Sequence, residues 1–106
     1  MKQMIVIVQE QDYPELATLL IRNRIHATKF MTEGLYLNRR NITLLICAED
    51  DRVEEILGYI RQSCTEREEV CEVWEYNGHM MVQARKTLRI GGATIFMSNV
   101  DEIIKC

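Results

Sequence analysis

The chain has 106 residues, of which 47% are hydrophobic and 27% are charged, as in an ordinary soluble globular protein. That length suits one domain with a single modest core, and we expect residues 1–106 to form it. The formal net charge of −3 argues against a general nucleic-acid or membrane surface. Any anion-binding site must therefore be local.

No stretch approaches the ~20 apolar residues that a membrane span needs, so no membrane insertion is expected. The first apolar run, Met4–Val8, is too short for a signal-peptide core, and Gln9-Glu10-Gln11 stands where a small-residue cleavage site would be. We therefore expect a cytoplasmic protein.

The cysteines and histidines predict no disulfide and no metal site. No two of the four cysteines form a C-x-x-C pair, so in the cytoplasm they are predicted to be reduced thiols, with Cys47 in the core and Cys106 at an exposed terminus. His26 and His79 have no ligand spacing to each other or to the cysteines, which argues against zinc.

The first half of the chain alternates between strand and helix patterns. Two D-x-x-E signals, at Asp12 and Asp51, precede apolar residues at helical spacing, so we expect each aspartate to cap a helix. These helices are predicted to end near Asn23 and Cys64. Strands are predicted around them at Met4–Val8, Ala27–Met31 and Ile42–Ala48. Strand–helix–strand repeated twice is the split βαβ, or ferredoxin-like, pattern of an α+β fold.

The second half is less regular. Alternating apolar and charged residues predict a strand at Glu69–Trp74, and Asn77-Gly78 predicts a turn within a flexible segment, Tyr76–Met81. Paired glycines inside a strand indicate a bulge or the close approach of another backbone or a ligand. Such a pair, Gly91-Gly92, joins strand-like segments at Thr87–Ile90 and Ala93–Met97. Asp101 is a candidate cap for a last short segment.

The predicted sheet is apolar on both faces. Two helices can cover only one face of an antiparallel sheet of four strands, and the other face should then alternate with polar residues. Instead Met4–Val8, Leu44–Ala48 and Ile95–Met97 are apolar at consecutive positions. At ~25 cal/mol per Å², leaving several such side chains in water would forfeit several kcal/mol. We therefore expect a closed homo-oligomer, whose subunit clefts suit small ligands; a heteromeric partner fits less simply.

The loop between the second and third strands carries candidate ligand contacts. Tyr36, with Leu35 and Leu37, suits the enclosure of a flat base, although the sequence pattern alone favours packing of these side chains on the protein itself. Three cations on or near this loop could neutralise the charge of a phosphate, or they could be solvated at the surface: Lys29, Arg39 and Arg40.

Polar residues flank this loop. The Thr28 hydroxyl and the Asn41 amide could hydrogen-bond to base edges or to phosphate. Turn capping is the alternative role for both side chains. His26 is a candidate for pH-dependent binding, because imidazole changes charge near neutral pH, or it caps a strand.

An enzyme is not expected. The sequence contains no nucleophile–base motif, no HExxH and no phosphate-binding glycine loop with a lysine. Binding of RNA on a ferredoxin-like sheet would need exposed aromatic residues in the strands, and the pattern shows none.

Several motifs together resemble the cyclic-di-AMP receptor proteins of Gram-positive bacteria, the PII-like group that includes DarA, PstA and YaaQ. The resemblance covers nearly the whole chain apart from loops. The segments that carry it are Ile5-Val-Ile-Val-Gln9-x-Gln11-Asp12, Asn23, Ala27-Thr-Lys29, Asn41-x-Thr43, Asp50-Asp-Arg-Val53, Arg67-Glu68 and Gly91-Gly-Ala-Thr-Ile-Phe96. It implies a homotrimer of ferredoxin-like, PII-like subunits, each an antiparallel sheet with two helices on one face.

The resemblance also implies a function and a site. The function is that of a non-enzymatic signal receptor that needs no cofactor, binds cyclic-di-AMP or a related adenine nucleotide between subunits, and signals through its loops to an unknown protein target. By position, the implied ligand-binding residues are His26, Thr28, Leu35, Tyr36, Leu37, Asn41, Cys47, Gly91, Gly92 and Phe96.

The chain departs from the family pattern at a few positions. Leu35 replaces a loop glycine, His26 an arginine and Cys47 a glycine, and the segment Trp74–Arg85 lacks the proline-rich and glycine-rich sequence usual there. These departures motivate an alternative, a ligand-independent trimeric interaction module with a degenerate pocket.

Overall fold

The computed structural model describes all residues, Met1–Cys106, and has an antiparallel four-stranded sheet at its centre. In chain order the strands are β1 (Lys2–Gln9), β2 (Ala27–Glu33), β3 (Arg40–Ala48), β4 (Arg67–Tyr76), β5 (Met81–Ile90) and β6 (Ala93–Asn99). The central sheet has the order β2-β3-β1-β6, while β4 and β5 form a separate hairpin. The helices are α1 (Tyr13–Arg22) and α2 (Val53–Ser63). The predicted α+β, ferredoxin-like pattern is confirmed, with the hairpin inserted between α2 and β6.

One face of the sheet packs on both helices. Alternate residues of β1 and β3 point to this face, because neighbouring side chains in a strand point to opposite sides. They meet the apolar stripes of the helices, and the largest members are almost fully buried: Met4, Val6, Val8, Leu16, Leu20, Ile42, Leu44, Ile46, Ile56 and Ile60. Each such side chain contributes roughly 1.5–3 kcal/mol of transfer free energy.

The other face of the sheet, which we call the open face, is uncovered. The strand register places Phe96, Ile5, Leu45 and Thr28 in one row across it. Ile5 is 39%, Phe30 48% and Phe96 58% exposed in the single chain. The apolar second face predicted from the consecutive apolar residues is therefore present.

The helix starts differ from the prediction. Short 3-10 turns, Glu10–Asp12 and Asp50–Arg52, lead into α1 and α2, and no side chain caps either helix. Asp12 instead accepts a hydrogen bond from Arg67. The predicted capping by Asp12 and Asp51 is wrong, although the helices end at Arg22 and Ser63, close to the predicted positions.

The segment predicted to be flexible is part of a regular hairpin. Strands β4 and β5 pair along ten residues each, and only residues 77–80 form the turn. Asn77 accepts hydrogen bonds at its side-chain oxygen from the backbone N–H groups of His79 and Met80, and Gly78 has a φ of 97°. The turn at Asn77-Gly78 is confirmed, whereas the prediction of a flexible segment over Tyr76–Met81 is wrong, because Tyr76 ends β4 and Met81 begins β5. The segment after Asp101 forms no helix.

The hairpin extends the molecule. The radius of gyration is 16.2 Å, whereas a compact chain of this length has a value near ~13 Å. Cys71, Val73 and Ile90 form its small buried cluster, to which Leu37 of the β2–β3 loop adds a side chain. Two backbone hydrogen bonds join that loop to β4, from Asn38 N to Glu72 O (3.2 Å) and from Trp74 N to Tyr36 O (3.0 Å).

The cysteines form no disulfide, and two of them are buried. Cys64 and Cys71 lie inside, while Cys47 and Cys106 are exposed. The prediction of Cys47 in the core is wrong, because the alternation of β3 turns its side chain to the open face after buried Ile46. No helix is both long and apolar enough to cross a membrane.

Candidate functional site

Three predicted site residues lie near the start of β2. His26 immediately precedes β2, Thr28 pairs with Leu45 on the open face, and Cys47 pairs with Gln3 of β1. A cavity of about 230 Å³ is lined by both His26 and Cys47. Most of its other lining residues are apolar, and Arg24, Glu49 and Arg52 add charges of both signs at its rim.

Asn41 lies at the opposite end of β2 and β3, and its amide is oriented by two threonines. Thr32 is its direct partner in the sheet, and the Thr32 hydroxyl donates to the Asn41 side-chain oxygen. The Thr43 hydroxyl lies 2.9 Å from the Thr32 hydroxyl, and it is the donor of this pair because the Thr32 hydrogen is used on Asn41. The hydrogen bond to Oδ1 fixes the orientation of the amide, and Nδ2 makes no hydrogen bond within the chain, so it is a free donor.

The loop after β2 brings its three predicted residues to different environments. Leu35 is 92% exposed and Tyr36 is half exposed, whereas Leu37 packs on the hairpin cluster. Gly34 permits this path, because a Cβ atom there would lie 2.9 Å from the Leu37 carbonyl oxygen. Leu35 and Tyr36 are thus available to a ligand, and Leu37 is already packed.

Gly91 and Gly92 form the junction between β5 and β6. Both have positive φ, 85° and 66°, and a Cβ on Gly91 would lie 2.2 Å from the Thr65 carbonyl oxygen. The predicted close approach is therefore made by the chain's own backbone. A glycine is needed here whether or not a ligand binds.

The predicted site residues are divided between the two edges of the sheet. Thr28 belongs to the β2 edge and Phe96 to the β6 edge, and two strands separate them. Three strand spacings of about 4.8 Å place them roughly 14 Å apart. A single subunit therefore cannot bring Thr28 and Phe96 against the same base.

Of the three cations considered for phosphate, two already have partners. Lys29 points to the helix face, where its ammonium lies 5.1 Å from the centre of the Tyr13 ring. Arg39 pairs with Glu69, and the hydrogen bond between them raises the pKa of the guanidinium and lowers the pKa of the carboxyl. Arg40 makes no ion pair and remains free to meet an anion.

A chain of ion pairs, which we call the Asp12–Arg39 chain, joins three parts of the fold. Arg67 at the base of β4 contacts Asp12 at 3.2 Å and Glu69 at 3.4 Å, and Glu69 contacts Arg39 of the β2–β3 loop. Asp12 and Arg67 occur in the motifs that carry the family resemblance, but their contact was not predicted. Residues 55 apart in sequence give no local signal of contact.

The site consists of hydrogen-bond donors, hydrogen-bond acceptors and apolar surface. No group of three or more His, Cys, Asp or Glu side chains lies close enough to hold a metal ion. The two buried thiols are not exposed nucleophiles, and burial raises the pKa of Cys64 to about 11.

Fold and site together define a small α+β protein of ferredoxin-like topology, consistent with the PII-like class, with polar residues and apolar loop residues around an open face. A family model described as cyclic-di-AMP receptor matches residues 1–106. The chain belongs to the cyclic-di-AMP receptor family, as its motifs predict. It is also similar to a protein of unknown function from Pediococcus pentosaceus ATCC 25745, with 30% sequence identity and a TM-score of 0.73. That match covers 99% of this chain and 96% of the other.

Proposed function

We propose that the chain is a non-enzymatic receptor that binds cyclic-di-AMP, or a related adenine nucleotide, between the subunits of a homotrimer. Membership of a receptor family supports the ligand class and the absence of catalysis. We further propose that it acts in the cytoplasm on a protein target, without nucleic acid or membrane insertion, and that it needs no cofactor.

The observation that carries the proposed position of the site is the separation of Thr28 and Phe96 at opposite edges of one apolar face. A neighbouring copy that presents its β6 edge to this β2 edge would bring both residues to one cleft. Such a contact uses two different surfaces, so it must close into a ring to satisfy every subunit. A ring of three, which the family resemblance implies, would also cover the open faces.

Each part of the ligand finds a complementary group at the loop end of β2. Tyr36 offers an aromatic face to a base, and the exposed side chain of Leu35 can cover it. Asn41 offers a free N–H donor, and Arg40 offers a charge to phosphate. Since the loop is hydrogen-bonded to β4, ligand contacts that move it would also move the hairpin.

Calorimetric titration with cyclic-di-AMP, together with sedimentation, tests the proposal. We expect binding, and a mass three times that of one chain. Asn41→Ala and Thr28→Ala should each weaken binding about tenfold, because each removes a hydrogen-bonding group. Thr87→Ala, at an exposed strand position in the hairpin, is the matched control and should bind normally. No heat and no thermal shift at high micromolar ligand would contradict the proposal.

A ligand-independent interaction module is the second candidate. Contacts within the chain organise the loop, because Leu37 packs on the hairpin and Arg39 pairs with Glu69. This candidate predicts a trimer in sedimentation, no response to nucleotide, and unchanged recovery of a protein partner with and without cyclic-di-AMP.

Both candidates predict that no chemistry occurs. Purified protein incubated with cyclic-di-AMP should leave the nucleotide intact by chromatography. Detectable turnover would contradict both.

A further inference from the structure

Gln9 carries a buried acceptor that nothing in the chain satisfies. Its side-chain oxygen, Oε1, is shielded from solvent and has no hydrogen-bond partner. Leaving such a group unpaired costs about 1–3 kcal/mol, so an unpaired one points to a donor that arrives from outside. Gln9 also lines a cavity of about 210 Å³ together with Glu10, Gln11, Arg39 and Arg40.

Gln9 lies directly opposite Asn41. The two are Cα partners in the pairing of β1 with β3, so their side chains point to the same face of the sheet. In such pairs the Cβ atoms are about 5 Å apart. Asn41 presents its Nδ2 donor because Thr32 donates to its Oδ1, whereas Gln9 supplies an acceptor. The donor of Asn41 and the acceptor of Gln9 therefore belong to neighbouring side chains at the end of the sheet.

From this arrangement we infer that Gln9 is a specificity-determining residue that accepts a hydrogen bond from the 6-amino group of an adenine base. Asn41 then donates to N7, the ring nitrogen beside that amino group on the same edge. Adenine presents a donor next to an acceptor, whereas guanine presents two acceptors, O6 and N7, on the corresponding edge. This inference rests on the proposed function and adds to it the group that selects the base.

The Gln9 amide can turn toward a ligand at little cost. Because Oε1 has no partner, its rotation breaks no hydrogen bond of that atom. A base that brings a donor to it removes the penalty of the unpaired acceptor, so the gain on binding is greater than for an exposed glutamine.

The test compares two ligands on two proteins. Cyclic-di-AMP and its analogue with unsubstituted purine bases, which lack the 6-amino group, are titrated into the full chain and into Gln9→Met. The full chain should prefer cyclic-di-AMP about five- to tenfold, the value of one net hydrogen bond. Gln9→Met should bind both ligands within about twofold, because Met keeps the length of the side chain and removes the acceptor.

Two further variants keep the test decisive. Gln83→Met, at an exposed position of β5, should keep the full preference. Gln9→Glu should also keep it, because a carboxylate accepts from the amino group, and this variant serves if Gln9→Met does not fold. If Gln9→Met prefers cyclic-di-AMP over the analogue as strongly as the full chain does, or if Gln9→Glu loses that preference, the inference is wrong while the proposed function stands. Failure of the full chain to bind cyclic-di-AMP overturns the proposed function as well.

Discussion

The central sheet with its helices and the β4–β5 hairpin are stabilised in different ways. The sheet and helices enclose 13 buried residues in one cluster, whereas the hairpin has three and takes a further side chain, Leu37, from a loop. Two-stranded hairpins are marginally stable alone. The order of the hairpin therefore depends on what attaches it to the rest of the molecule.

The contacts that attach the hairpin are mostly polar, and several of them are made by the β2–β3 loop, which carries predicted ligand residues. They are the Asp12–Arg39 chain and the two backbone hydrogen bonds from the loop to β4. Such bonds can break without opening the core, so the hairpin can move while the sheet stays fixed. Under the proposed function, the hairpin is therefore the part of the fold best suited to report on a ligand at the loop.

Truncation of one buried side chain in each region should give the largest effect and separate them. Leu44→Ala should lower the free energy of unfolding by about 2–5 kcal/mol, because it leaves a cavity in the main core. Val73→Ala should cost less globally and should speed amide exchange within β4 and β5 only. Denaturant unfolding and hydrogen exchange measure the two effects. Val70→Ala, which is exposed, is the control. Equal global losses from the two buried truncations would contradict the proposed independence of the regions.

Gly91→Ala should strain the junction where the hairpin returns to the sheet. The new Cβ would collide with the Thr65 carbonyl, and φ is positive there, so we expect a loss of about 2–3 kcal/mol in denaturant unfolding. The control is Gly58→Ala in α2, where nothing lies near the added Cβ. It should stabilise by up to about 1 kcal/mol through helix propensity. A neutral Gly91→Ala would mean that the junction is free to shift.

The same contrast explains how much of the fold could be predicted from the sequence. The sheet and helices were predictable because their buried residues recur at the periods of strand and helix. The segment predicted for β5 was too short, because Gln83 and Arg85 interrupt the apolar pattern of this strand. Cys47 was misplaced because it continues the apolar run of β3, although alternation turns it outward.

The geometry of the candidate site could be predicted only in part. The motifs indicated Asn41, and the apolar runs indicated that a second face needs cover. The orientation of the Asn41 amide depends on Thr32 and Thr43, whose roles appear only once β2 and β3 are in register. The contact between Asp12 and Arg67 likewise depends on tertiary structure and has no signature in sequence spacing.

Removing Arg67 should loosen the hairpin more than removing a surface arginine. Arg67→Met leaves the mostly buried carboxylate of Asp12 without its partner, which should cost about 2 kcal/mol and speed amide exchange in β4. Arg89→Met breaks the exposed Arg89–Glu66 pair and should cost less than about 0.5 kcal/mol. Similar exchange rates in the two variants would show that the Asp12–Arg67 contact does not hold the hairpin.

Acid should weaken the attachment of the hairpin in a predictable pH range. The hydrogen bond and charge of Arg39, and then those of Arg67, lower the pKa of the Glu69 carboxyl below its ordinary value of 4.5. When the folded pKa lies below the unfolded value, the stabilisation is fully present above the unfolded pKa and is lost as pH falls through the folded pKa. The difference in melting temperature between the unmodified chain and Glu69→Gln should therefore be constant from pH 7 to about pH 5.5 and shrink below pH ~4.5.

The Arg39→Met background tests the cause of that pH dependence. With Arg39 absent, the folded pKa of Glu69 should move back toward its ordinary value, because only Arg67 remains beside the carboxyl. Melting temperatures of Arg39→Met with and without Glu69→Gln provide the comparison over the same pH range. The pH-dependent part of the melting difference should then be smaller than in the unmodified chain. If it is equally large, Arg39 does not set the pKa of Glu69, and the loop is not attached to β4 through this ion pair.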